Sequence, residues 1–120
     1  MKYMLLIYHN PGFLESFNEE DMNAVMQEVG EIMGELEASG EWVGGEALAD
    51  MSQTKVVRVT DGAPAVTDGP FVEAKEHLAG YCIIEAETPE RAIEIAARWP
   101  DARWNGIELR PIMDTSGTEM

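Results

Sequence analysis

A single cysteine, Cys82, stands in a chain of 120 residues, so no internal disulfide can staple the fold. Its neighbours Ile83 and Ile84 are apolar, which marks the thiol as a packing group and makes a reducing, cytoplasmic setting the expectation. Histidine is almost as scarce. The two residues, His9 and His77, lie far apart with no cysteine or histidine at ligand spacing, so neither a structural metal site nor a cofactor is expected. Long apolar runs are also missing. The stretch from Met1 to Tyr8 is too short to span a bilayer, carries Lys2 and precedes no small-residue cleavage site. It reads as a strand rather than a signal peptide, and no membrane partner is expected. Lys and Arg number 8 against 23 Asp and Glu, a net charge of −15. Such a chain repels phosphate backbones, no basic stripe offsets this, and direct nucleic-acid binding is not expected. Phosphate-binding glycine loops, Cys-x-x-Cys, His-Glu-x-x-His and Gly-x-Ser-x-Gly are all absent.

What is present fits one domain over residues 1–113, with a tail at 114–120 that has nothing to bury and is expected to fray. Lys2–Tyr8 is apolar on both faces, as in a central strand, and His9-Asn10-Pro11-Gly12 breaks it. Asn18 caps a helix with three acids in its first turn. Met22, Val25, Met26, Val29, Ile32 or Met33, and Leu36 form its apolar stripe, and Ser39-Gly40 ends it. Within it Gly30 and Gly34 each cost roughly 1 kcal/mol against alanine, through either close backbone approach or simple tolerance. Trp42–Gly45 reads as a short, irregular extended piece. Lys55–Thr60, Asp61-Gly62 and Ala65–Thr67 form a hairpin. Leu78–Ala86 is a further strand. Thr88-Pro89-Glu90 opens a second helix whose apolar face is assigned to Ala92, Ile93, Ala96, Ala97 and Trp99, with Pro100 as its stop. Gly106–Pro111 is the last strand, Ile107 and Leu109 on one face and Glu108 and Arg110 on the other.

This order predicts an α+β fold, a ferredoxin-like split β-α-β unit with an inserted β-hairpin. Right-handed crossovers put both helices on one sheet face, which leaves the other bare. Pairing with a second copy covers it, so a homodimer is predicted.

The densest group of acid-base residues runs from Thr67 to Tyr81. Gly69 and Pro70 constrain the turn that Asp68 opens, and Glu73, Lys75, Glu76 and His77 follow before the strand. Asp68, Glu76 and His77 are the candidate catalytic residues, and Lys75, His9 and Tyr81 the candidate ligand-binding ones. In the structural alternative, Asp68 bonds the amides of its own turn.

The stretches Val43-Gly44-Gly45-Glu46, Thr67-Asp68-Gly69-Pro70-Phe71, Glu73-Ala74-Lys75-Glu76, Gly80-Tyr81 and Glu108-Leu109-Arg110-Pro111 together resemble the DGPF-type branch of the YCII-related proteins. The resemblance extends from Met1 to about Met113. It implies a dimeric α+β barrel, with two ferredoxin-like sheets packed face to face, in small bacterial proteins mostly without an established function. Members of the wider family carry a His-Asp pair proposed as an acid-base dyad, and relatives act on chlorinated muconolactones. Where those members place the histidine, near the start of the first helix, this chain has Glu20, Asp21, Met22 and Asn23, so the dyad does not carry over.

Two functions follow as expectations. One is a dimeric module that binds a small organic ligand or serves regulation. The other is a cofactor-independent acid-base enzyme acting on a small organic acid or lactone, with Asp68 or Glu76 as base and Lys75 or His77 as acid or anion anchor.

Overall fold

In the computed structural model, β1 (Lys2–His9) runs through the middle of a four-stranded sheet. On one side it pairs with β5 (His77–Glu85), on the other with β6 (Ile107–Pro111), and β2 (Trp42–Ala47) lies outside β5. The structure describes residues 1–69 and 76–114. Every pairing is antiparallel, and the order β2-β5-β1-β6 is that of a ferredoxin-like split β-α-β unit. The sheet is open, and among the described residues no closed barrel forms. The Pro70–Lys75 stretch of the sequence motif and the tail from Thr115 onward lie outside the described residues.

Two helices cover one face. α1 (Glu19–Ser39) begins where the Asn18 side chain accepts from the Asp21 N–H, and ends where Gly40 takes φ 79°. α2 (Pro89–Arg98) begins with Thr88 accepting from the Arg91 N–H. From the sheet, Tyr3, Leu5, Cys82 and Ile84 are buried against Ile32, Leu36, Ala92, Ile95, Ala96 and Trp99. Each large aliphatic side chain so buried contributes about 1.5–3 kcal/mol. The inward stripe of α2 is therefore 92, 95, 96 and 99. Ile93, assigned to that face from the sequence, points outward, and so does Ala97. A helix that buries Ala92 also buries positions three, four and seven residues on, and Ile93 lies a full 100° away from it.

The close-approach glycines are on β2 and β5, not on α1. A Cβ on Gly45 would sit 2.6 Å from the Tyr81 carbonyl oxygen, and one on Gly80 2.9 Å from that of Glu46, whereas Gly30 and Gly34 have nothing within 4 Å. Simple tolerance is thus the reading that holds in the helix. The irregular piece at 42–45 is the edge strand β2, its irregularity a register shift between Trp42 and Gly44.

β3 (Lys55–Thr60) and β4 (Ala63–Asp68) make a separate two-stranded sheet. Asp61 and Gly62 have φ of 52° and 77°, the paired positive values of a tight hairpin turn. Except for Val56 its side chains are exposed. Among the described residues, no helix is long and apolar enough to cross a membrane.

Candidate functional site

His9 is the last residue of β1 and falls on the helix-facing side with Tyr3, Leu5 and Ile7. Asp101 lies in the 3-10 turn Pro100–Arg103 that directly follows α2. The turn brings the Asp101 carboxylate under the strand end, with His9 Nε2 2.7 Å from Asp101 Oδ2. The side chains are only 16% and 11% exposed. An ionised carboxylate can only accept, so Nε2 carries the hydrogen in the neutral ring and Nδ1 keeps the lone pair. The turn itself is well tied. The Trp104 and Gly106 amides donate to the Asp101 carbonyl at 3.1 and 3.0 Å, and Asn105 Nδ2 donates to the Tyr8 carbonyl at 3.2 Å.

Aromatic rings wall the pair. Phe13 lies 5.1 Å from the His9 ring, and Phe13, Phe17 and Trp104 contact one another at 5.2–5.3 Å. Such a wall lowers the local dielectric and strengthens the His9–Asp101 bond. Behind it, burial first and the Asp101 charge second push the Cys82 thiol up to about 12, so Cys82 is inert packing, as its apolar neighbours indicated.

A register shift completes the site. Along β1 and β5, Ile7 stands opposite Gly80, but Tyr8 stands opposite Leu78 and His9 opposite His77, which leaves Ala79 unpaired. Directly opposed residues share a face, so this bulge turns His77 to the side of His9. Regular pairing would have put Leu78 there. His9 and His77 both line a cavity of about 170 Å³. A neighbouring one of about 390 Å³ shares the wall formed by Leu48–Met51, His77 and Leu78.

The other sequence candidates scatter. Glu76, next to His77, lines an open cavity of about 360 Å³ with Tyr8, Asn105 and Glu108. There a hydrogen bond to Glu108, then burial and that carboxylate's charge, hold the Tyr8 phenol above its ordinary value. Tyr81 stands opposite Leu6 and Glu46, on the face away from the helices, and lines none of these cavities. Asp68 lines none either. It ends β4 in solvent, and among the described residues its side chain pairs with Lys55. Lys75 lies outside the described residues. Asp101 was not singled out in the sequence. The one available signal was a carboxylate held between Trp99-Pro100 and Trp104, and its partner is 92 residues away. Among the described residues, no group of three or more His, Cys, Asp or Glu is placed to hold a metal ion.

The model of the YCII-related domain matches residues 1–116. The chain belongs to the YCII-related family. This YCII-related protein is 25% identical over 114 residues to an uncharacterised protein of Rhizobium meliloti (strain 1021), a match covering 93% of this chain and 92% of the relative. The α1 positions Glu20–Asn23 hold no histidine, yet this YCII-related chain builds a His-Asp pair from the end of β1 and the turn after α2.

Proposed function

We propose that this protein binds a small organic molecule and moves a proton on it without a cofactor. His9 acts as base and returning acid, and Asp101 positions its ring. The observation that carries this reading is the 2.7 Å His9–Asp101 bond, largely buried, on the wall of a cavity that His77 also lines. Such a carboxylate fixes the imidazole tautomer and ring orientation, and a positioned acid-base group contributes typically 10²–10⁴-fold. The base is thus moved from Asp68 or Glu76 to His9.

The test is hydrogen–deuterium exchange at carbon in D₂O, followed by NMR on a panel of small lactones and ketones. Exchange above buffer on at least one compound is expected, with loss of 100-fold or more in His9→Gln. Ligand-induced stabilisation without exchange would instead make the chain a binding or regulatory module.

We also propose that the chain pairs with a second copy through the sheet face away from the helices. Met4, Leu6, Tyr81 and Ile83 are only half-buried there, and a facing sheet would close a barrel over them. Sedimentation at micromolar concentration should give a dimer, and Leu6→Lys a monomer. A wild-type monomer overturns the proposal.

A further inference from the structure

We infer that the cavity beside His9 takes an uncharged small carbonyl compound and discriminates against the matching carboxylate anion. This rests on the reading of His9 as the working base, and it narrows the expectation of a small organic acid or lactone to the neutral member. Glu15 and Asp50 line the cavity with His9 and His77, and no Lys or Arg is among the described residues that line it or its neighbour. Asp101 adds a third carboxylate directly behind His9. With both imidazoles neutral these five groups sum to −3, and with both protonated to 2 − 3 = −1. Among the described residues the site is therefore anionic in either state, inside a chain whose net charge is −15. Asp50 is not free to swing away, because its carboxylate accepts from the Ser52 N–H at 3.0 Å.

An organic anion entering here gives up its hydration and meets, among the described residues, no cation that is not already balanced. A neutral carbonyl gives up much less hydration and meets no like-charge repulsion. The remaining wall, with Phe13, Leu14, Leu48, Met51 and Leu78, suits its carbon skeleton, and the two imidazoles supply the polar contacts.

The test uses two stable probes of similar size, δ-valerolactam and pentanoate, titrated at pH 8 into the full chain. The imidazole C–H signals of His9 and His77 are read by NMR. The lactam is expected to shift both signals saturably, with a dissociation constant at least tenfold below that of pentanoate. Glu15→Gln with Asp50→Asn should narrow that ratio to threefold or less, asparagine keeping the bond to Ser52. Pentanoate binding as tightly as the lactam, with the same signals moving, would overturn the charge selection and leave the His9 reading standing. An unchanged ratio in the double variant would overturn it as well. Silence of the His9 signal to both probes would overturn this inference and the His9 reading together.

Discussion

Two of the chain's acid–base contacts, His9–Asp101 and Lys55–Asp68, stand in opposite surroundings. His9–Asp101 joins the sheet body to the turn after α2, with side chains 16% and 11% exposed; Lys55–Asp68 closes the base of the hairpin, with side chains 60% and 86% exposed. Water screens the second pair and competes for both of its partners, so it is worth little in stability or in tuned reactivity. The first pair has lost most of that competition, so its geometry and tautomer are held by the protein. The sequence motif drew attention to Asp68, which is exposed beside Lys55, whereas Asp101 is largely buried against His9. Desolvation and a fixed partner tune reactivity, and these are properties of the packed structure rather than of charge concentration along the chain.

The contrast can be broken at several points. The largest effect belongs to the body's core: Ile84→Ala should cost about 2–5 kcal/mol in urea unfolding, whereas Val59→Ala in the hairpin, at a residue 73% exposed, should stay within about 0.5 kcal/mol. Equal costs would show that the hairpin is packed against something in solution. Next, Asp101→Ala should cost about 1–3 kcal/mol by leaving His9 without its acceptor, and Asp101→Asn measurably less.

A smaller effect sits on the helix side. Hydrogen bonds from Arg91 and then Ser39 hold the Glu41 carboxyl down at about 2, from an ordinary 4.5. A depressed folded-state value means the stabilisation is fully present above pH 4.5 and is lost as the pH falls from there towards 2. Glu41→Gln should therefore flatten the acid limb of a Tm–pH curve in that window and cost about 0.5–1 kcal/mol at pH 7. The smallest effect is expected for Lys55→Met, within about 0.5 kcal/mol and without change in the NMR signals of His9. A shift of those signals would tie the hairpin to the site.

Much of the fold was legible because its signals are local. Asn18, Gly40 and Thr88 mark helix ends through bonds made within three or four residues, Pro89 does so through its fixed φ, and Asp61-Gly62 marks its turn through two positive φ angles. The misread face of α2 shows the limit. Ile93 and Ile95 have the same side chain, and only packing of α2 into the core made Ile95 the buried one. The site was less legible still. His77 was named from its neighbours in the chain, but it faces His9 because of a bulge at Ala79 that nothing in Leu78-Ala79-Gly80 announces.

The sequence alone determined the element order, the caps, the split β-α-β class and the inert Cys82, since periodicity, capping and apolar context act over a few residues. It also set the charge, a simple sum over the chain. Only the tertiary structure decided which histidine acquires a carboxylate, and that it is Asp101. Residues 92 apart meet only after the sheet register and the turn beyond α2 are set, and burial, the property that separates this pair from Lys55–Asp68, exists only once the chain has packed.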